Sequence, residues 1–270
     1  KETLKNGTTD TSIYNKYYNG KYSYIVSNNI YIRNDYKDTI YKRIADSELQ
    51  KQKKYLYSDN GFILLKLIIE KISTMNFDNY VQNNFYKPLG LSTMTFNPLN
   101  TLSINKITPT ENDKEFRKQL IHGYVHDQTA AMLGVISGHA GLFSNANDIA
   151  IMLQMLLQNG EYGNERYFKQ ATIKEFTKYQ FPFNNNRRGL GFDKPIADNN
   201  NRQTCKSASL NSYGHTGFTG TYFWVDPDYD YIFVFLSNRV HPDASNNKLL
   251  KNGTRSLLHQ MGYDAIKSIK

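Results

Sequence analysis

The sequence predicts an α+β fold in which an antiparallel sheet is flanked by helices. Asn60–Thr74 is strongly apolar with a narrow polar face, which is typical of a helix packed in a protein core. Asn147–Gln158 repeats apolar residues at helical spacing. Tyr222–Val225 and Tyr231–Ser237 are rich in β-forming residues and are separated by Asp-Pro-Asp-Tyr-Asp, which predicts a hairpin. Helices and an antiparallel hairpin in one chain indicate the α+β class.

The N-terminal part, residues 1–54, is polar and rich in tyrosine and asparagine. Short β-like pieces at Tyr22–Val26 and Ile30–Ile32 alternate with turn residues, and Asp38–Ser47 fits a short helix. We expect this part to be an irregular lead-in on the surface of a single domain that covers residues 1–270.

The middle part, residues 55–212, is predicted to be mostly helical. Ser58 and Asp59 stand where the N-cap of the Asn60–Thr74 helix is expected. The last part, residues 213–270, holds the hairpin. The other predicted elements are a helix over Phe77–Phe85, a loop over 95–120, a cap at Asn145 or Asn147, a helix over Ala171–Tyr179, and a C-terminal helix over Asn246–Ile269 interrupted near Gly253 and Gly262.

Composition excludes several classes of protein. The formal net charge is +9, but the lysines are scattered, and abundant Lys, Asn, Ile and Tyr reflect AT-rich codons, so we expect no nucleic-acid partner. The single cysteine excludes an internal disulfide framework and a multi-cysteine zinc site. No apolar run approaches the ~18–20 residues of a membrane span.

Three segments carry residues typical of chemistry. They are Tyr57-Ser58-Asp59-Asn60 before a helix, Gly138–Ser144 with a histidine among glycines, and Gly214–Thr221 before the hairpin. Each has a plain structural interpretation, as a helix cap or a tight turn. The glycines of the third segment are weak support for a phosphate loop, because no helix follows them.

Taken together and in this order, the segments resemble the serine β-lactamase-related hydrolases, a family that includes class C β-lactamases, DD-peptidases and esterases. The resemblance rests on YSDNGFILLKLIIEKI and GHTGFTGTYFWVDPDYDYIFVFLSNRVHP, with FYKPLGLSTMTF and VHDQTAAMLGVISGHAGLFS between them. It covers residues 55–242 and implies a β-lactamase/transpeptidase-like fold with a helical subdomain. The chain also resembles a hydrolase module that some Bacteroidetes fuse to a family-three β-N-acetylglucosaminidase.

The resemblance implies a serine hydrolase that forms an acyl-enzyme on an ester, peptide or β-lactam. It gives Tyr57 the role of base beside a lysine, and Asp59 the role of orienting that lysine and the substrate amide. His215, Thr216 and Gly217 would line the opposite wall on an edge strand, with Thr216 donating to a substrate carboxylate. His215 replaces the family's usual lysine and is charged only at mildly acid pH, which weakens the case for an obligatory substrate carboxylate.

The resemblance also implies that the backbone N–H of Phe218 is an oxyanion donor. The family's nucleophile lies in Ser-x-x-Lys upstream of the tyrosine motif, and no such motif occurs before Tyr57. Ser103-Ile-Asn-Lys and Ser245-Asn-Asn-Lys come later, in the wrong order and in expected loops or helix starts. We therefore expect the C-terminal portion of a domain, truncated at its N-terminus and inactive alone.

Two other functions stay open at the level of sequence. One is a non-catalytic module, derived from the same fold, that binds glycan or peptidoglycan. The other is a metal-dependent hydrolase that uses His122, His126, Asp127 and His139, although hydrogen bonds that brace loops explain these residues as well. The resemblance implies no cofactor, a small-molecule or peptidoglycan-derived substrate, an upstream glycoside hydrolase domain, and a periplasmic or extracellular location.

Overall fold

The computed structural model describes residues 8–51, 55–182, 186–196 and 204–269. The chain divides into two compact units, of which unit 1 holds residues 1–88, 92–144 and 240–243, and unit 2 holds residues 89–91, 145–239 and 244–270. The strands of unit 1 are β1 Tyr14–Asn15, β2 Tyr22–Ser27, β3 Ile30–Arg33, β4 Pro109–Asp113 and β5 Gln119–His122, and its helices are α1 Tyr36–Ala45, α2 Asn60–Ser73, α3 Phe77–Val81 and α4 Gln128–Met132. The strands of unit 2 are β6 Glu161–Tyr162, β7 Glu165–Arg166, β8 Tyr213–Thr216, β9 Tyr222–Asp226 and β10 Tyr231–Phe235, and its helices are α5 Ala146–Leu157, α6 Gln170–Thr177, α7 Lys248–Lys251 and α8 Thr254–Ile269.

Unit 1 is built on a three-stranded antiparallel sheet in the order β1-β3-β2. Its buried core joins this sheet to α1, α2 and α4 through Val26, Ile32, Ile40, Ile63 and Ala131, among others. The strand pieces and the short helix predicted in the N-terminal part are confirmed. The expectation of an irregular surface lead-in is wrong, because the apolar residues of these elements form much of the core of unit 1.

Helix α2 confirms the predicted helix over Asn60–Thr74, and it ends where Thr74 takes a left-handed conformation with φ of 55°. Ile63 is its fully buried residue, whereas Leu65, Ile68 and Ile72 on the same helix are at least half exposed. The next predicted helix, Phe77–Phe85, is α-helical only over α3 and continues as a π-helical turn over Gln82–Tyr86.

Residues 95–120 are not the continuous loop that the sequence predicts, because β4 and the start of β5 lie there and pair with each other. The turn between them is built by Asp113, whose carboxylate accepts hydrogen bonds from the backbone N–H groups of Glu115, Phe116 and Arg117. These bonds and the Arg117 Nε atom at 2.9 Å hold the pKa of Asp113 below its usual value despite its burial. The sequence does not predict these strands, because β4, Pro-Thr-Glu-Asn-Asp, is polar and begins with proline.

Unit 2 is built on a second antiparallel sheet in the order β10-β9-β8. The predicted hairpin is confirmed, with Tyr222 opposite Phe235 and Asp226 opposite Tyr231. Residues of β9 alternate between the two faces of the sheet, so that Val225 packs in a cluster with Leu153 of α5 and Trp224 packs in a cluster with Tyr263 of α8. The sheet of unit 2 is therefore covered by a helix on each face.

The helices of unit 2 follow the sequence closely. Asn145 caps α5, accepting from the Asp148 backbone N–H at 2.8 Å, and α6 lies within the predicted Ala171–Tyr179 region apart from its first residue. The C-terminal helix is interrupted at Gly253, which separates α7 from α8, but it is continuous through Gly262. Within the described residues, no helix combines the length and the apolar character needed to cross a membrane.

Candidate functional site

The Tyr57-Ser58-Asp59 segment leads into α2 and belongs to unit 1. The Tyr57 side chain is 56% exposed. Ser58 Oγ accepts the backbone N–H of Asn60 at 3.2 Å, whereas the Asp59 side chain makes no capping hydrogen bond. Asp59 occupies the N-cap position through its backbone carbonyl, which accepts from Ile63 at 3.1 Å. The Asp59 carboxylate thus lies at the positive end of the helix dipole without serving as the cap.

The His215-Thr216-Gly217-Phe218 segment ends β8 and begins the turn to β9 in unit 2. Strand β8 is an outer strand of the described sheet, as the sequence predicts for this motif. The Gly217 N–H donates to the carbonyl of Thr221 at 2.8 Å. A Cβ atom on Gly217 would lie 2.0 Å from Thr221 Oγ1, so any larger residue would force the Thr221 side chain to move.

The turn that carries Phe218 is held at both ends. The Gly220 N–H donates to the Gly217 carbonyl at 3.1 Å, and the Arg239 N–H donates to the Thr219 carbonyl at 2.9 Å. The Phe218 side chain is 65% exposed, and the Arg239 guanidinium carbon lies 4.6 Å from the centre of its ring. This cation–π contact fixes an aromatic ring at the surface beside the glycine turn.

His215 makes two hydrogen bonds that select one neutral tautomer. Its Nδ1 atom lies 2.8 Å from the Thr216 carbonyl oxygen, so Nδ1–H donates there. Its Nε2 atom lies 2.9 Å from Arg188 Nη1, which donates to the Nε2 lone pair. Burial, followed by the positive charges of Arg188 and Arg187, lowers the pKa of His215, although the Asp193 carboxylate opposes this shift. His215 is therefore neutral at pH 7, and the positive charge in contact with its ring belongs to Arg188.

Arg187, Arg188 and Asp193 form a charged cluster against β8. Asp193 Oδ1 lies 3.1 Å from Arg187 Nη2 and 3.0 Å from Arg188 Nε. The backbone of Asp193 pairs with Gly214 through two hydrogen bonds of 2.7 and 3.0 Å. Two guanidinium groups thus share one carboxylate next to the His-Thr-Gly motif. The sequence shows Arg187-Arg188-Gly189 only as a turn, because nothing local links it to a strand that begins at Tyr213.

The histidines that were considered as metal ligands hold loops of unit 1. His139 Nε2 lies 2.9 Å from Asp127 Oδ1, and its Nδ1 lies 2.8 Å from Ser137 Oγ. His122 Nε2 contacts the Ile107 carbonyl at 2.6 Å. Hydrogen bonds from His139 and the backbone N–H of Ala130 lower the pKa of Asp127 against its burial. His126 lies 3.4 Å from Glu111. Across the part of the chain that is described, no three His, Cys, Asp or Glu side chains are grouped to hold a metal ion.

The two later Ser-x-x-Lys sequences lie where the sequence predicts. Ser103 has an extended conformation before the short 3-10 helix Ile104–Lys106, and Ser245 lies in a turn before α7. Neither serine lies within a helix.

The structure brings the predicted site residues together in two groups. Tyr57 and Asp59 flank Ser58 in unit 1, and His215, Thr216, Gly217 and Phe218 are consecutive in unit 2. Sequence reasoning missed the Arg187, Arg188 and Asp193 cluster of unit 2.

Comparison with known proteins gives a consistent family. A family model described as β-lactamase matches residues 14–254. A putative D-alanyl-D-alanine carboxypeptidase of Salmonella agona is 37% identical over 234 residues, covering 80% of this chain and 53% of the relative. The corresponding protein of Salmonella gallinarum is 38% identical over 220 residues, covering 76% and 50%. The chain spans about half the length of these curated relatives.

Solved structures show the same fold. A β-lactamase from Mycobacterium bovis matches with a TM-score of 0.53 at 19% identity, covering 79% of this chain and 65% of that one. Simvastatin synthase from Aspergillus terreus matches with a TM-score of 0.58 at 16% identity, covering 86% and 60%. A penicillin-binding protein homologue from Pyrococcus abyssi matches with a TM-score of 0.52 at 19% identity, covering 82% and 48%. The β-lactamase/transpeptidase-like fold predicted from the motifs is confirmed.

Proposed function

Since this chain belongs to the β-lactamase family, we propose that it forms part of a serine DD-carboxypeptidase. Such an enzyme removes a terminal D-alanine from peptidoglycan-derived peptides through an acyl-enzyme. The observation that carries the proposal is the Arg188 guanidinium, whose Nη1 atom lies 2.9 Å from Nε2 of His215, the residue before Thr216 in the chain. A substrate for this reaction ends in a carboxylate, and a guanidinium with a hydroxyl donor is the pair of groups that recognises one.

The roles in unit 2 follow from this geometry. Thr216 donates its hydroxyl to the substrate carboxylate, and Arg188 supplies the permanent charge that a lysine gives elsewhere in the family. His215, neutral and bonded at both nitrogens, positions Arg188. The replacement of lysine by histidine therefore costs the site no positive charge, which removes the objection that the sequence raises against a carboxylate substrate.

Phe218 contributes through its backbone N–H, which we propose as a donor to the oxyanion that develops on the attacked carbonyl. The turn around this group is closed by the Gly217 N–H on the Thr221 carbonyl and the Gly220 N–H on the Gly217 carbonyl. The Phe218 ring, exposed and braced by Arg239, presents an apolar surface to the acyl side of the substrate.

Tyr57 and Asp59 are proposed as the proton-handling groups of unit 1. A tyrosine becomes a useful base near neutrality only when neighbouring positive charge lowers its pKa from about 10. The Ser-x-x-Lys lysine of the family is the group expected to do so. For Asp59, whose carboxylate is not used as a helix cap, we propose the role that the resemblance implies, which is to orient that lysine and the substrate amide.

The cellular setting is proposed from the same relatives. Salmonella proteins named as putative D-alanyl-D-alanine carboxypeptidases support a peptidoglycan-derived substrate and a periplasmic or extracellular location. Fusion to an upstream glycoside hydrolase domain stays a prediction from the resemblance.

The recognition step can be tested on this chain by calorimetry with diacetyl-Lys-D-Ala-D-Ala and its C-terminal amide. We expect the free acid to bind about tenfold or more tightly than the amide, the difference expected for a charge-assisted hydrogen bond. Thr216→Val and Arg188→Met should each abolish this preference. Arg166→Met, which removes an exposed arginine of the same unit, is the matched control. Equal binding of acid and amide by the unaltered chain would contradict the proposal.

The chemical step is tested by intact mass after incubation with a fluorophosphonate or a fluorescent penicillin. The probe is applied to this chain and to any longer polypeptide that its gene encodes. Labelling of the longer polypeptide alone places the nucleophile outside residues 1–270. Labelling of this chain identifies a reactive serine in it, and Ser103 and Ser245 are then replaced. Peptide binding with no labelling of either favours the non-catalytic binding module.

A further inference from the structure

Unit 2 contains a cavity of about 420 Å³. It shares no described lining residue with the group formed by His215, Arg187, Arg188 and Asp193, which is called the His215 cluster below. Its apolar walls include Leu156 and Leu157 of α5 and Ile173 of α6. Leu210, which is 55% exposed, also lines it, so the cavity reaches the surface there. The volume lies within the range of small-molecule sites, about 300–1,000 Å³.

One wall of this cavity carries a buried lysine that forms no ion pair with the residues that the structure describes. Lys194 is 3% exposed, and its Nζ atom donates to the backbone carbonyl of Asn211 at 3.0 Å. The Tyr179 ring lies 5.1 Å from Nζ. Within the described residues, no carboxylate forms an ion pair with Lys194. Burial lowers the pKa of Lys194 to about 8, which reflects the cost of a buried cation that lacks a counter-ion.

The two carboxylates whose charges raise the pKa of Lys194 accept hydrogen bonds from other donors. Asp226 accepts from the Ser209 N–H and hydroxyl and from the Tyr263 hydroxyl. Asp228 is exposed, and both of its oxygens accept from Asn211 Nδ2, at 2.9 and 3.1 Å. They attract Lys194 only at longer range. The position of a direct counter-ion to Lys194 is therefore left for a ligand.

A second buried group of the cavity lacks a partner. Tyr213 lines the cavity, is 2% exposed, and its hydroxyl has no hydrogen-bond partner among the described residues. Burial raises the pKa of Tyr213, so the hydroxyl keeps its proton and can donate it. A buried hydroxyl without a partner costs free energy, which an acceptor on a ligand would recover.

From this arrangement we propose that unit 2 binds an anionic amphiphile, a carboxylate on an apolar chain of medium length, with its head on Lys194 and Tyr213. The chain of the ligand lies along the leucine and isoleucine walls. The proposal is independent of the serine hydrolase function, because the cavity uses neither the His215 cluster nor Tyr57.

Octanoate is the test ligand, with 1-octanol and octylammonium as probes of the same chain length. Calorimetry on this chain should show that octanoate binds about tenfold or more tightly than octanol, as expected for a charge-assisted hydrogen bond, and that octylammonium does not bind. At pH 8, octanoate binding should take up as much as about half a proton, because about half of Lys194 is neutral there. This uptake is read from the heats in buffers of different ionisation enthalpy.

Variants locate the site. Lys194→Met should remove both the preference for octanoate and the proton uptake, and Tyr213→Phe should weaken octanoate more than octanol, because a carboxylate is the stronger acceptor. Lys174→Met, which removes an exposed lysine that also lines the cavity, is the matched control. Equal binding of octanol and octanoate, no binding of octanoate, or loss on Lys174→Met in place of Lys194→Met would each overturn the proposal. The ligand series and the proton uptake decide it even if Lys194→Met does not fold.

Discussion

Mild acid is expected to destabilise unit 2 through His259, a fully buried histidine of α8. Its ring stacks on Phe233 with 4.8 Å between the ring centres and an angle of 17°. Its Nδ1 atom lies 2.9 Å from the Tyr222 hydroxyl, and its Nε2 has no hydrogen-bond partner among the described residues. A proton added to this ring would place a charge among aromatic side chains with no acceptor for the second N–H. Burial accordingly lowers the pKa of His259 to about 3.

The size of the effect follows from linkage between protonation and folding. In the unfolded chain a histidine has a pKa of 6.5, whereas the pKa of His259 in the folded chain is about 3. Between these two pH values the unfolded state binds a proton at this histidine and the folded state does not. The contribution of His259 to the free energy of unfolding is therefore fully present well above pH 6.5. Below that pH it falls by about 1.4 kcal/mol per pH unit. Between pH 8 and pH 5, His259 alone therefore removes about 2 kcal/mol from the free energy of unfolding.

Urea denaturation at pH 8, 6.5 and 5 measures this loss. Trp224 is the single tryptophan of the sequence, and its ring centre lies 6.3 Å from that of His259, so its fluorescence reports unfolding around this histidine. His259→Gln should be less stable at pH 8 because packing is lost, but its stability should fall less steeply between pH 6.5 and 5. His122→Gln in unit 1 is the matched control and should leave the pH dependence of the Trp224 transition unchanged.

Two results would refute this reasoning. If the Trp224 transition were independent of pH between 8 and 5, the pKa of His259 in the folded state would equal that of a histidine in the unfolded chain. A full pH slope in His259→Gln would assign the effect to another group. His215 is the alternative, because burial lowers its pKa as well.

The other predictions concern single contacts. Arg188→Met should raise the pKa of His215, since the guanidinium is one of the charges that lower it, and NMR titration of the imidazole would show no such rise if Arg188 were distant in solution. Gly138→Ala should destabilise unit 1 by about 2 kcal/mol or more, because its Cβ would lie 2.1 Å from the Phe62 carbonyl oxygen. Gly61→Ala, in α2 with open space around the new methyl group, should instead stabilise by as much as about 1 kcal/mol, and urea melts of both variants check the contrast.

Much of the fold could be predicted because local signals are strong in this chain. Three elements are predicted by residues that lie within them or directly beside them. They are α2 with its apolar run, α5 with its helical spacing and Asn145 cap, and the β9–β10 hairpin with its Asp-Pro-Asp-Tyr-Asp turn. The β-lactamase family was likewise predictable, because its motifs are short, contiguous and in a fixed order.

Other predictions failed because they depend on neighbours that are distant in sequence. Gly262 was expected to break the last helix, yet it lies inside α8, where a Cβ would come within 1.9 Å of the Tyr231 hydroxyl. Glycine is used there for close packing of helix on strand and not as a breaker. Strands β4 and β5 have no clear alternation, and the carboxylate of Asp113 and the buried Arg117 build their turn.

The sequence by itself determined the class of fold, the principal helices and hairpin, and the family, since these depend on residues close together in the chain. It also named Tyr57, Asp59 and the His215–Phe218 segment as candidates. Only the tertiary structure decided that Arg188 supplies the charge beside His215, 27 positions along the chain. Only the tertiary structure decided that Lys194 is buried in the wall of the cavity that Tyr213 also lines, with no ion pair among the described residues. Charge and burial at these positions are set by contacts between distant segments, which no local pattern of residues records.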